Sequence, residues 1–164
     1  MTTGSSVLQN GLVTPGHLAS WTTDGVIQDS GVTFNNTYGV FSSTLQGINF
    51  NSTNTDFPIA INLPAGYTRY RIENILISGA SASLSTATCG VFTQAAGAGT
   101  PVVTSASAIT VTQSANDTNN NMQSLTISDQ NTMSLIDTTL FFRVQGAQGS
   151  PATGTVTVFY QPIP

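Results

Sequence analysis

The chain has 164 residues, of which only 6% are charged, and its formal net charge is −4. This length suits one ordinary domain with a tail. Three arginines and no lysine cannot neutralise a run of phosphates, so neither nucleic acid nor an anionic membrane is an expected partner, and no apolar run approaches the roughly 20 residues needed to span a bilayer.

The first 55 residues are predicted to form an extended arm. They are rich in Gly, Ser, Thr and Asn, with apolar residues in small scattered groups. This composition is too polar for an independent core and too apolar for a plain linker. Such a segment becomes ordered by burying its few apolar side chains against a partner. We therefore place the boundary near residues 51–56, which gives an arm of residues 1–55 and a domain of residues 56–164.

The arm contains the stretch GHLASWTTDGVIQDSG, which holds the only histidine, His17, and the only tryptophan, Trp21. Trp21 provides a large, rigid anchor. Val26 and Ile27 add an apolar pair, and Asp24 begins a turn dipeptide. These five residues have the composition of a docking peptide, in which a few anchors carry most of the binding energy. Alternatively, the arm packs on its own domain or on a sister subunit.

No catalytic, metal or cofactor site is predicted. A Ser-His-Asp triad or a metal site at His17 would need its other side chains to be held rigidly around one point. A flexible arm does not provide such a rigid arrangement. Glycoside hydrolysis needs two carboxylates flanking a cleft, and the scattered acids show no such pairing. The single cysteine, Cys89, rules out an internal disulfide, and we expect a small buried hydrophobe there rather than a reactive thiol.

From residue 57 onward, apolar and polar residues alternate with the period of a half-buried strand. In FPIAINLP, for example, Phe57, Ile59 and Ile61 point to one face. The same rhythm recurs in RYRIENILIS, TATCGVFTQ, SAITVTQ, MQSLTIS, LFFRVQG and residues 155–160. Only NTMSLID, residues 131–137, is helix-like, and it could equally be an irregular loop. Seven or eight strands joined by turns predict an all-β fold, an antiparallel β-sandwich or jelly roll preceded by the extended N-terminal arm.

Two groups of side chains on the predicted strands are candidates for binding. Arg69, Arg71 and Glu73 are spaced two apart, so they share one strand face and are expected to form ion pairs within or between subunits. An aromatic face beside polar donors suits a sugar ring. The candidate glycan-facing aromatics are Tyr67, Tyr70 and Tyr160.

Three stretches of the sequence resemble proteins of tailed bacteriophages and prophages. TPGHLASWTTDGVIQDSG is similar to a short N-terminal element of small virion and fibre proteins, of the form PGHxxxWxxDGVIQDxG. LPAGYTRYRIENILISGASASLSTATCGVFTQAAGAGTPVV resembles a phage β-domain with LPAGxTRYRV followed by an ATxGLFTAAGGGG-like segment. LFFRVQGAQGSPATGTVTVFYQPIP resembles its closing strands. Together these stretches cover most of the chain.

The resemblance implies a non-enzymatic virion protein, assembled in the cytoplasm of a bacterial host. We expect a head decoration, cement or short fibre protein that docks on capsid or tail proteins through its arm. Its β-domain is expected to form a homo-oligomer, a trimer in preference to a dimer. The alternative function is a receptor- or carbohydrate-binding tip protein of a tail fibre.

Overall fold

The fold is known from a computed structural model in which the chain forms two compact units, Met1–Thr37 and Tyr38–Pro164. The described residues are 39–112, 121–128 and 134–163 with their side chains, and by backbone alone the strands β1 (Leu8–Gln9), β2 (His17–Trp21) and β3 (Val26–Thr33).

The first unit contains a small sheet with the strand order β1-β3-β2. β2 runs antiparallel to β3, with Trp21 opposite Ile27, and β1 runs parallel to β3. The described part of the predicted docking stretch therefore lies in strands that pair with one another.

The second unit, the β-domain, is built from strands only, apart from a 3₁₀ turn at Ala95–Gly97, and its described residues include no α-helix. Its strands are β4 (Phe41–Asn49), β5 (Thr55–Ala60), β6 (Arg69–Ser78), β7 (Thr88–Phe92), β8 (Pro101–Ala108), β9 (Met122–Ser124), β10 (Thr139–Gly146) and β11 (Thr153–Ile163).

The eight strands form two four-stranded antiparallel sheets. One has the order β4-β11-β6-β9 and the other β5-β10-β7-β8; we call them the β11 sheet and the β10 sheet. The strands pair in nested couples, β4 with β11, β5 with β10, β6 with β9 and β7 with β8. This is the strand order of a double-sheet jelly roll, so the predicted antiparallel β-sandwich or jelly roll is confirmed.

The core lies between the inner faces of the two sheets. Alternate residues of β10 and β11 are buried along most of each strand, as the sequence pattern predicts. Ile75 and Val158 come from the β11 sheet, whereas Val91 and Phe142 come from the β10 sheet, and all four are fully buried. Because both layers contribute large apolar side chains, each sheet hides the apolar face of the other from water.

The regular alternation predicted for RYRIENILIS is wrong at one point. In β6 the buried residues are Tyr70 and Ile72, then Ile75 and Ile77. The pairing with β11 shifts by one residue there, which leaves Glu73 as the extra residue of a β-bulge. The bulge changes the phase of the strand, so both halves of β6 turn their apolar residues inward.

The alternation predicted for TATCGVFTQ is also wrong, because β7 is buried on both faces. Cys89 and Val91 face the core with no exposure, but Phe92 on the other side is only 3% exposed. The loop after β7 covers this outer side: a Cβ on Gly97 would lie 3.8 Å from the Phe92 ring. The prediction that Cys89 is a buried hydrophobe is confirmed.

The predicted boundary near residues 51–56 is wrong, because the β-domain begins at Tyr38. β4 pairs with β11 along its length, and Ile48 and Phe50 are buried in the core. β4 carries a bulge after Leu45, where its register against β11 shifts. The bulge interrupts the alternation in FSSTLQGIN, which hides the strand from a search for a two-residue period.

Candidate functional site

One concave surface of the β-domain, a groove of about 700 Å³, carries a predicted site residue. We call it the Tyr67 groove. Its lining mixes apolar side chains with one amide, two hydroxyls and one phenol. The lining residues are Ile61, Asn62, Leu63, Tyr67, Thr68, Ile136 and Thr138.

A tight turn between β5 and β6 sets the position of Tyr67. The Tyr67 N–H donates to the Pro64 carbonyl over 3.1 Å, and Gly66 has φ = 90°. A positive φ at the third residue of a four-residue turn is the mark of a type II turn, which glycine adopts without steric cost. The sequence LPAGY thus fixes where the aromatic ring leaves the backbone.

Two buried tyrosines hold the walls of this groove. The Tyr160 hydroxyl donates to the Asn62 carbonyl over 2.9 Å and accepts the Asn62 N–H over 3.2 Å. The Tyr70 hydroxyl donates to the Asp137 carbonyl over 2.7 Å. The two rings touch edge to face with centroids 5.7 Å apart. Each ring therefore packs in the core while its hydroxyl fixes one of the loops that border the groove.

Backbone hydrogen bonds fasten the same loops. Tyr70 and Leu135 exchange two backbone hydrogen bonds of 3.0 and 2.8 Å. The Ile61 N–H donates to the Thr138 carbonyl over 2.9 Å. Residues 134–138 thus form an irregular segment that is held in place by backbone hydrogen bonds. The described residues of NTMSLID are therefore not helical.

The prediction that three tyrosines face a glycan is wrong for two of them. Tyr70 is fully buried and Tyr160 is 2% exposed, and burial raises the pKa of the Tyr70 hydroxyl further above its ordinary value. Only Tyr67, which is half-buried, lines a groove. The sequence alone did not predict Asn62, Thr68, Ile136 or Thr138 as site residues. Asn62 was visible as a polar residue on the outer side of FPIAINLP, whereas nothing in NTMSLID marked Ile136 for exposure.

The arginine cluster at the start of β6 is partly paired. Arg71 Nε donates to a carboxylate oxygen of Glu73 over 2.5 Å, within one chain and at the surface. Arg69 is exposed at the first position of the strand. An ion pair this exposed contributes little to stability.

A less exposed ion pair, which the sequence did not predict, lies on the outer face of the β10 sheet. Arg143 Nη1 donates to Asp56 Oδ1 over 2.8 Å, and the two side chains are only 14% and 20% exposed. The other carboxylate oxygen of Asp56 accepts the Ala96 N–H over 2.7 Å. Asp56 therefore links β5, β10 and the loop that covers β7, which is a structural role.

The outer face of the β11 sheet is almost free of charge. The charged side chains of its strands, Arg69, Arg71 and Glu73, all lie in the first half of β6. Strand register places the remaining outward residues in rows across the sheet, and Thr44 and Thr157 approach within 3.1 Å through their hydroxyls. The outward residues include Ser42, Thr44, Asn74, Leu76, Ser78, Thr155, Thr157 and Phe159.

A second groove, of about 420 Å³, lies between the two edge strands β4 and β5. One wall is residues 42–45 of β4, and the other is residues 58–60 of β5 together with Asn62; no charged side chain lines it. Pro58 occupies an edge position, where the missing N–H costs no sheet hydrogen bond.

The residues predicted to dock on a particle lie in the first unit. His17 and Trp21 are the ends of β2, and Val26 and Ile27 begin β3. Asp24 lies outside the described residues. Among the described residues there is no group of three His, Cys, Asp or Glu side chains that could hold a metal ion, and no helix has both the length and the apolar character to cross a bilayer.

The fold and these surfaces define an all-β jelly-roll protein with a separate N-terminal unit. Comparison with protein-family models, with curated proteins and with solved structures returns no match for this chain.

Proposed function

We propose that this protein is a non-enzymatic structural component of a phage particle, a head decoration, cement or short fibre protein. In this proposal the N-terminal unit docks on capsid or tail proteins of the virion, and the β-domain forms a homo-oligomer, preferably a trimer. The observation that carries the proposal is the division of the chain at Thr37: a unit with the docking composition precedes a separate jelly roll. Jelly rolls are common in viral capsid domains.

The nearly uncharged surface supports an assembly role. The described residues of the β-domain include three arginines and three carboxylates, so their formal charges balance. Both Arg71 and Arg143 form ion pairs with acids of the same chain. Copies that meet through neutral faces experience no strong charge repulsion. A Ser- and Thr-rich exterior also keeps such a protein dissolved before it assembles.

The outer face of the β11 sheet is our proposed contact between copies. It combines a row of small hydroxyl side chains with half-buried Leu76 and Phe159, and its charges are confined to the first half of β6. An interface core of this kind is depleted in charge and enriched in aromatic residues.

Analytical ultracentrifugation of variants tests this contact. We expect the unmodified protein to sediment as a homo-oligomer, and Phe159→Asp and Ser42→Arg to sediment as folded monomers, because each places a charge within the proposed contact. Ser42 is exposed in the isolated chain, so its variant keeps the fold. Ser105→Asp on β8 is the matched control and should remain oligomeric. Variants that all remain oligomeric would place the contact on another face.

Particle binding tests the docking role. Protein lacking residues 1–37 should no longer bind purified particles of the parent phage, whereas Trp21→Ala and Ile27→Ala should weaken binding because large apolar anchors dominate such contacts. Far-ultraviolet circular dichroism of each variant checks that the β-domain is folded. Full particle binding without the N-terminal unit would refute docking through it.

A second candidate function, a receptor- or carbohydrate-binding tip protein, is favoured by one observation, the Tyr67 groove. An aromatic side chain beside amide and hydroxyl groups in a groove of this size matches the common make-up of small-ligand sites, and jelly rolls also occur in lectins.

A further inference from the structure

We propose that the Tyr67 groove binds a neutral sugar unit of a glycan, with the sugar ring against Tyr67 and its hydroxyls bonded to Asn62, Thr68 and Thr138. This inference rests on the second candidate function and is independent of particle docking.

The absence of charge from the lining selects a neutral ligand. The polar groups among the lining residues are one carboxamide, two aliphatic hydroxyls and one phenol. A charged ligand that leaves water needs an opposite charge in its site, since an unpaired buried charge is costly. A sugar hydroxyl both donates and accepts, so amide and hydroxyl side chains satisfy it without a counter-charge.

The apolar part of the lining suits the C–H face of a sugar ring. Tyr67 provides an aromatic ring, and Ile136 is 65% exposed, one of the most exposed large apolar side chains among the described residues. Exposed apolar surface that is surrounded by polar groups often marks an interaction site. A ligand that covers Ile136 and Tyr67 removes apolar area from water.

Hydrogen bonds and a turn fix the backbone of the groove walls. The hydroxyls of Tyr160 and Tyr70 hold the backbone at Asn62 and Asp137, and the turn at Gly66 fixes the residue that carries the Tyr67 ring. A site whose walls are already in place loses little entropy on binding, which matters for weak ligands such as single sugars. The volume of about 700 Å³ is within the range of about 300 to 1,000 Å³ found for small-ligand sites.

Saturation-transfer-difference NMR on the full chain tests the proposal. The probes are glucose, galactose, mannose, rhamnose and N-acetylglucosamine at millimolar concentrations, with N-acetylneuraminic acid as the charged comparison and an uncharged Ser/Thr-rich peptide as the alternative ligand class. We expect signals from at least one neutral sugar and no stronger signal from the acidic sugar or the peptide.

Variants locate the binding to this groove. Tyr67→Ala should weaken the affinity for that sugar by about tenfold or more, because it removes the aromatic face. Tyr67→Phe keeps the ring and should retain most of the affinity. Thr104→Ala on β8 is a distant control and should bind as the unmodified protein does. A thermal unfolding curve for each variant confirms that the β-domain is folded.

Three results would overturn the proposal: no signal from any neutral sugar, equal affinity in Tyr67→Ala, or binding of the acidic sugar or the peptide alone. The particle assay separates this proposal from the docking role. Tyr67→Ala should still bind particles, and protein lacking residues 1–37 should still bind the sugar if its β-domain is folded, so each proposal can fail without the other.

Discussion

At the scale of single residues, the most buried polar groups of the β-domain hold loops and strands in place through hydrogen bonds. Tyr70 and Tyr160 each bury a ring and use the hydroxyl to fix a loop, and Asp56 joins two strands and a loop through its two carboxylate oxygens. Within the described residues, no buried side-chain nitrogen or oxygen lacks a hydrogen-bond partner. Complete pairing allows an apolar core to tolerate polar atoms at its border.

Replacing Asp56 by alanine should destabilise the β-domain by about 1 to 3 kcal/mol, because Arg143 and the Ala96 N–H lose a partner in a largely shielded place. The matched control is Glu73→Ala, which breaks a more exposed pair and should cost no more than about 0.5 kcal/mol. Urea unfolding followed by far-ultraviolet circular dichroism measures both changes. Equal losses in the two variants would contradict the structural role given to Asp56.

Cys89 makes stability depend on pH in the alkaline range. Burial raises the pKa of its thiol from 9.0 to about 12, so the unfolded chain loses this proton first as the pH rises. The stabilising contribution is therefore present below about pH 9 and is lost as the pH approaches about 12. The urea midpoint should fall between pH 8 and about pH 10.5, and Cys89→Ala should flatten that fall. An identical pH dependence in the variant would contradict this assignment.

The two buried tyrosines also show what the sequence could and could not predict at this scale. Tyr160 follows Val156 and Val158 at the same two-residue spacing, so the alternation alone predicts that it points inward. The alternation therefore predicts the burial of Tyr160 correctly, whereas the chemistry of its phenol suggested a sugar contact at the surface. Ile136 could not be predicted in the same way, because its exposure depends on hydrogen bonds between residues distant in sequence.

At the scale of elements, two bulges determine which residues face the core. In β6 the bulge at Glu73 brings the apolar residues before it and those after it to the same face; without the bulge they would point to opposite faces. In β4 a register shift after Leu45 has the same effect on Ile48. A two-residue pattern finds a strand only between such points, which is why β10 and β11 were predicted well and β4 was assigned to the arm.

Deletion of Glu73 is a direct test of the bulge. Without this residue the strand reads RYRINILIS, in which Tyr70, Ile72 and the two following isoleucines alternate regularly and still face inward. We expect the variant to fold and to lose no more than about 2 kcal/mol. Deletion of Leu76 is the matched control: it turns Ile77 outward and should abolish cooperative thermal unfolding. Similar melting curves for the two deletions would disprove the bulge at this position.

At the scale of the whole molecule, the chain divides after Thr37 and not near residue 55. A fragment of residues 38–164 should fold with a cooperative thermal transition, because it retains all eight strands of the jelly roll. A fragment of residues 56–164 lacks β4 and should not fold, since Ile48 and Phe50 leave the core and the adjacent edge of β11 is bared. Differential scanning calorimetry compares the two. A folded shorter fragment would support the boundary expected from composition.

The fold class was predictable because a jelly roll repeats one local signal, the alternation of apolar and polar residues. The unit boundary was not, since composition changes gradually between residues 38 and 55 whereas pairing changes abruptly at β4. The Tyr67 groove depends on a turn, two loops and two core side chains brought together by the fold, so its sequence signal was limited to the turn LPAGY.

The position of β11 between β4 and β6 has a consequence for how the protein is made. Thr44 and Thr157, which face each other across β4 and β11, are 113 positions apart in the chain. Such distant pairing slows folding, because a long loop must close before any contact compensates for the lost entropy. On the ribosome, β4 and β6 remain without their shared neighbour until β11 has been synthesised. The nascent chain therefore carries two unpaired strand edges from the synthesis of β6 until that of β11, a period in which it is prone to aggregate with other chains.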